Sequence, residues 1–325
     1  MQIKKISELT YKDHIILNDV FIYVLPSAGL HHIIYDASTR YILQYAGDYV
    51  EKYALGITPP DTDKTEYTVI DEAYSCLYQG ARPPSHNYLQ LVRSYVYLSK
   101  HTATNTLIYD VDYPSYVSFN NFVYTHLIKT HRMYRCELGK LYRIKKLTLS
   151  IADKKQHDSF TFFSKKLDEI IPEKEEKFKY FNLKLQQNSS ENWTGARSFK
   201  NDKYILTTLA DKGYKPIDMS DEYSKQVCLR NSSYLILNWG GNIQINGVSL
   251  YNKNKPILVL CHLSYKHEYQ NFAAYKKRNS DNVADDDTYK NKIRWVFDLP
   301  DNVKDLDKII ASFEKDYENF NTIKR

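Results

Sequence analysis

Short β-branched and aromatic runs alternate with helical stretches along this chain. That alternation constrains the fold more than any other feature, because strands connected through helices pair in parallel. The runs 14–25 and 31–45 flank a turn over Pro26–Gly29, and Thr65–Tyr74 forms a further strand. A loop from Gly80 to His86 opens a helix in which Tyr88, Leu91, Val92, Tyr95 and Leu98 keep helical spacing. Strand Thr106–Val111, a helix over 118–130, and strands Met133–Leu138 and Tyr142–Leu149 complete the first half. The charged helical stretch Asp153–Lys179 follows, and the alternation then resumes. It runs through strand Phe181–Gln186, helix Asp202–Gly213 ending on its glycine, helix Glu222–Asn231 and strand Ser233–Asn238. A glycine turn, another helical stretch, strand Pro256–His262 and the charged amphipathic helix Val303–Asn319 close the pattern. The spacing predicts an α/β protein built on mainly parallel sheets.

A chain of 325 residues accommodates two domains of about 150 residues each. With 42% hydrophobic and 26% charged residues it has the composition of a globular protein. The formal net charge of +6 is too small for a dedicated nucleic-acid binder, and its basic residues are interspersed with acids, as in Glu173–Lys177. A mild basic excess favours anionic ligands such as nucleotide diphosphates and is compatible with peripheral contact at an anionic membrane surface. The 30 tyrosines fit an AT-rich coding bias, and they also suit sugar sites, where a ring covers apolar faces and a hydroxyl hydrogen-bonds. Cys76, Cys136, Cys228 and Cys261 are widely separated, which argues against a zinc site or a disulfide framework. The first residues have no apolar signal core and no run approaches the ~20 apolar residues of a membrane span, so a cytoplasmic location is expected.

Three clusters carry candidate chemistry. Trp239-Gly240-Gly241-Asn242 follows the apolar strand, with Asn246 shortly after. A glycine turn between a strand and a helix lets backbone N–H groups and a helix N-terminus approach a phosphate, although a bare Gly-Gly also serves as a tight turn. Gly195 to Asn201 leads into helix Asp202–Gly213, where the Arg197 fork can grip a diphosphate and Asn201 or Asp202 can cap the helix. Arg82 to Tyr88 opens the first-half helix, and His86 there is a candidate general base for an acceptor hydroxyl. Each cluster read alone also fits an ordinary loop or cap.

In order along the chain, these clusters resemble the family 61 glycosyltransferases, the group with domain-of-unknown-function label 563 that includes capsule-type bacterial enzymes. Asn87-Tyr88 matches the start of its Asn-aromatic-x-His motif, though Gln90 stands where the histidine is expected and His86 precedes the motif. Arg197 and Asn201 match Arg-x-x-x-Asn. Gly213-Tyr214 and the following Ile217-Asp218 match a helix end and strand, Gln226 matches a helix glutamine, and Gly241, Ile243 and Asn246 match Gly-x-x-apolar-x-Asn. The resemblance spans roughly 78–265.

It implies two facing Rossmann-like domains of the GT-B type with a C-terminal helix: an acceptor-side domain over 1–155, a nucleotide-sugar domain over 156–300 and the helix over 301–325. It further implies metal-independent, inverting transfer from a nucleotide-sugar, a UDP-linked donor being the first expectation. The acceptor would be a saccharide or lipid-linked saccharide in surface polysaccharide synthesis. His86 and Arg197 take the catalytic roles, and Arg197, Asn201, Gly240, Gly241, Asn242 and Asn246 the donor side, with no separate cofactor. Asp110-Val111-Asp112 has the form of a metal-holding D-x-D element but lacks partner acids nearby in sequence. Another group transferase of sialyl or sulfo type, or a non-enzymatic carbohydrate-binding protein, are the competing assignments.

Overall fold

A computed structural model describes residues 3–5, 14–25, 32–44, 57–75, 92, 105–109, 121–122, 125–126, 132–150, 156–174, 176–186, 198–240, 246, 249–250, 253–265 and 293–322. The chain divides into two compact units, Met1–Phe163 and Ser164–Arg325. Mixed α/β structure is present, with one sheet in each unit.

Unit 1 is built on eight strands: β1 (Ile3–Lys5), β2 (His14–Val24), β3 (His32–Asp36), β4 (Ile42–Gln44), β5 (Tyr67–Ser75), β6 (Asn105–Tyr109), β7 (Arg132–Cys136) and β8 (Leu141–Ser150). Their order is β1-β4-β3-β2-β8-β5-β6-β7. The expected mainly parallel sheet is a mixed one here. β2 pairs antiparallel with both β3 and β8, and β3 with β4, while β8, β5, β6 and β7 run parallel. For β2–β3 and β3–β4 the physical reason is loop length, since antiparallel neighbours can be joined by a short connection whereas a parallel pair needs a long crossover. Val20, Ile22 and Val24 of β2 face one apolar cluster with Ile70, Leu107 and Ile144, and Phe21 faces another with Ile33 and Tyr35, as period-two alternation requires.

The run 31–45, expected as one strand, is two. Asp36 Oδ1 accepts from the backbone N–H groups of Ser38 and Thr39 at 2.9 and 2.8 Å and from both hydroxyls. Arg40 then takes a left-handed φ of 58°. This aspartate turn reverses the chain.

Unit 2 carries α1 (Gln156–Ile170, which crosses the unit boundary), β9 (Phe178–Asn182), α2 (Asp202–Asp211), β10 (Tyr214–Pro216), α3 (Glu222–Arg230), β11 (Ser232–Asn238), β12 (Ile257–His262), β13 (Ile293–Leu299) and α4 (Leu306–Thr322). All five strands are parallel in the order β10-β9-β11-β12-β13. That is the 2-1-3-4-5 order of a flavodoxin-like doubly wound sheet. One face lies against α2 and α4, where Phe181, Ile236, Leu258, Ile205, Leu209, Ile310 and Phe313 form one cluster. α3 contacts β9 and β11, and the Cys228 thiol beside the Tyr180 hydroxyl places it on the opposite face. β13 and the short β1 were not anticipated from the sequence. β9 begins at Phe178 rather than Phe181, because Lys179 points into the structure and pairs with Glu314 of α4 at 2.8 Å.

α2 ends as its glycine predicts: the Gly213 N–H bonds the Ala210 carbonyl at 2.8 Å with φ 76°. No atom lies within 4 Å of a Cβ built there, so backbone conformation alone is at stake. Gly213→Ala should therefore destabilise unit 2 by about 1–2 kcal/mol. A urea unfolding midpoint equal to that of the unsubstituted protein would remove this role.

Candidate functional site

An open parallel sheet binds ligands outside the carboxyl ends of its strands, where the strand order reverses. In unit 2 the chain steps outward from β9 to β10 and returns to β11, so the reversal lies between β9 and β11. Their ends are Asn182 and Asn238. The Trp239 backbone N–H bonds the Leu260 carbonyl at 2.9 Å, and its buried ring meets Trp295 edge-on at 5.3 Å. Gly240 follows with φ 115°, a conformation that L side chains rarely adopt. Strand β11 therefore ends in a turn that requires glycine, immediately outside the sheet.

The segment before α2 is anchored to the same edge. Gln186 N–H donates to the Phe199 carbonyl at 3.0 Å, and Phe199 N–H to the Lys184 carbonyl at 2.9 Å. Lys200 N–H donates to the Asp301 carbonyl at 2.6 Å, and the two side chains form an ion pair. Asn201 occupies the N-cap position of α2, as expected, but its side chain does not cap. It sits at φ 52°, and its Nδ2 donates to the Val303 carbonyl at 2.7 Å. The buried Asp202 carboxylate accepts from Gln186 N–H at 3.3 Å. The expected cap is thus replaced by a tie to the chain entering α4. By contrast, α3 is capped by Asp221, which accepts from Ser224 N–H at 2.8 Å.

His262 ends β12 beside this segment, its ring 5.5 Å from that of Phe199. Ser264 N–H donates to its Nδ1 at 3.0 Å, so Nδ1 is an acceptor and the neutral ring carries its proton on Nε2. That Nε2 is buried and has no hydrogen-bond partner, as is Asn201 Oδ1. A donor and an acceptor are therefore left open at one sheet edge, and buried polar groups ordinarily find partners. Burial holds the His262 pKa below its usual value, against the pull of Asp301.

Among the candidates from the sequence, Asn201 and Gly240 lie at the carboxyl edge. Asn246 lies buried in the helical stretch after the β11 turn, its Nδ2 without a partner. His86, Arg197, Gly241 and Asn242 lie outside the described residues, as do Asp110 and Asp112. Sequence reasoning missed His262 and the Lys200–Asp301 pair. The available signal was a polar residue ending the otherwise apolar strand Ile257–His262. Among the described residues no cluster of metal-ligating side chains occurs, and no helix is long and apolar enough to cross a membrane. No protein-family model matches the chain, and no curated protein matches it significantly.

Because the folded pKa of His262 is lowered, the unfolded chain binds the proton first. Stability from the neutral ring is full above the unfolded value near 6.5 and falls as pH drops below it. The unsubstituted protein should lose more stability between pH 7 and 5 than His262→Gln does. Parallel pH–stability curves would refute a buried neutral His262.

Proposed function

We propose that this chain is a glycosyltransferase that binds a nucleotide-sugar at the carboxyl edge of the unit 2 sheet and transfers the sugar to a saccharide acceptor. The observation that carries the reading is the doubly wound parallel sheet whose β11 ends in the glycine turn at Gly240. Such an edge is where helix N-termini and free backbone N–H groups meet phosphates. The ordered motifs of the sequence, which resemble family 61 glycosyltransferases, supply the reaction class. They also supply the GT-B arrangement, the UDP-linked donor, the inverting outcome and the independence from metal.

In this scheme the acceptor hydroxyl attacks the anomeric carbon and the bond from that carbon to the diphosphate breaks. The hydroxyl proton passes to His86, and the nucleoside diphosphate leaves. Arg197 takes the charge that develops on the leaving group, where a positioned donor is worth about 3–4 kcal/mol. Asn201 and Gly240 line the donor edge, with Gly241, Asn242 and Asn246 on the same side of the scheme.

A thermal-shift series with UDP-, GDP- and CMP-linked sugars tests donor binding, and stabilisation by UDP-sugars is expected. A CMP-sugar alone stabilising the protein would favour a sialyl-type transferase, and no stabilisation by any donor would refute the reading. Arg197→Ala should weaken donor binding and slow transfer, whereas His86→Ala should keep nucleotide affinity and lose turnover by ~10²–10⁴-fold. Turnover should persist in excess chelator. Loss of turnover on chelation, restored by magnesium or manganese, would overturn both the mechanism and the GT-B assignment.

A further inference from the structure

Two buried cations of unit 2, Arg230 and Lys255, lie at the opposite, amino edge of its sheet. A cavity of about 420 Å³ opens there between the end of α1, the chain entering β9, the start of β11 and the chain entering β12. Lys177, Arg230, Lys253 and Lys255 line it, against only two carboxylates, Asp168 and Glu173. Both carboxylates are already engaged. Asp168 pairs with Arg230 and with Lys253, and Glu173 pairs with Lys177 at 2.5 Å. The Arg230 guanidinium also donates to the carbonyls of Ser249 and Ser164 at 2.7 and 2.9 Å.

Lys255 is the exception. It is 9% exposed, yet its ammonium donates only to the Ser232 carbonyl, at 2.8 Å. No carboxylate of the described residues pairs with it, so two of its three donors lack a partner among the described residues at the cavity wall. A buried ammonium without an anionic partner is costly, and a neighbouring Arg230 and Lys253 raise that cost. Asn254, left-handed at φ 55°, turns the chain between the two lysines. The carboxyl termini of α1 and α3 also lie at this edge, but Arg230 in the last turn of α3 and Lys253 beside Asp168 of α1 already have carboxylate partners.

We propose that this cavity is a binding site for a phosphoryl oxyanion, held by Lys255 and by the field of Arg230, Lys253 and Lys177. It lies at the other edge of the sheet from the donor site and does not depend on that assignment. The oxyanion fills the two open donors of Lys255 and offsets the excess of two positive charges. Removing the lysine removes a buried, poorly paired charge, so Lys255→Met should fold at least as well as the unsubstituted protein.

Sulfate is the probe of choice, because its charge does not change between pH 6 and 10. At fixed ionic strength, sulfate should stabilise the unsubstituted protein and bind in calorimetry, and Lys255→Met should weaken this by about ten- to a hundredfold. Lys308→Met, at an exposed surface position, should leave it unchanged. Burial and the cations around it, Lys177 foremost, lower the Lys255 pKa to about 8, against the attraction of Glu173. Sulfate binds the protonated form, so affinity should fall as pH rises through about 8, and Lys255→Met should lack that limb. Inorganic phosphate and vesicles of phosphatidic acid in phosphatidylcholine distinguish the sources. Lys255-dependent binding of phosphate alone assigns a free phosphoryl ligand, and Lys255-dependent vesicle binding that phosphate does not displace assigns a lipid headgroup. Equal sulfate effects on Lys255→Met and the unsubstituted protein, or no binding of any probe, overturn the site.

Discussion

Strand β12 is buried at every position from Ile257 to His262, and β11 at Leu235 to Asn238, so the centre of the unit 2 sheet leaves no face for water. A parallel sheet in this state must be covered on both sides. The coverings are the α2 and α4 layer, through Phe313, Ile310 and Leu209, and α3 on the opposite side. Lys179 fits into the first layer because its stem and ammonium lie against the rings of Tyr214 and Tyr234, and Glu314 meets its charge. A cation is tolerated there by aromatic faces and one carboxylate together.

Covering both faces leaves only the two edges of the sheet for polar chemistry, and the parallel direction of its strands gives those edges opposite character. Helices enter from the carboxyl edge, so their N-terminal N–H groups gather there, and their carbonyl ends gather at the other edge. The charges follow that polarity. Asp202, Asp221 and Glu222 stand in or next to the first turns of α2 and α3, and Arg230 stands in the last turn of α3. Dipole matching explains Arg230. It does not explain an ammonium as deeply buried as Lys255, because a solvated lysine would complement the same carbonyls at lower cost.

In unit 2 the alternation of strands and helices was legible because each element carries its own period, and Gly213 and Gly240 because their positive φ angles favour glycine. What escaped was set by partners distant in sequence. β13 has five half-exposed or exposed central residues, among them Asp298 at φ 56°, so its apolar alternation is weak. The break between β3 and β4 depends on one carboxylate, Asp36, turning back on Ser38 and Thr39. Asn201 was legible as an N-cap position but not as a tie to Val303, a hundred residues later. The amino-edge cavity draws Asp168, Glu173, Arg230 and Lys255 from four separate segments, and no local spacing announces it.

Among the polar groups of unit 2 that lack a full set of partners within the described residues are the Nε2 of His262 and Asn201 Oδ1 at one edge, and the ammonium of Lys255 at the other. Each would be relieved by an apolar residue of similar size, and a fold shaped by stability alone would favour that exchange. Their chemistry also differs. A neutral ring donor and a neutral amide acceptor at one edge suit polar, uncharged partners such as hydroxyl groups. A lysine among cations suits a full negative charge. Uncompensated polar groups in an otherwise well-packed sheet mark where local rules yield to a ligand. The two edges of this sheet thus present different open groups, a neutral donor and a neutral acceptor at the carboxyl edge and an ammonium at the amino edge.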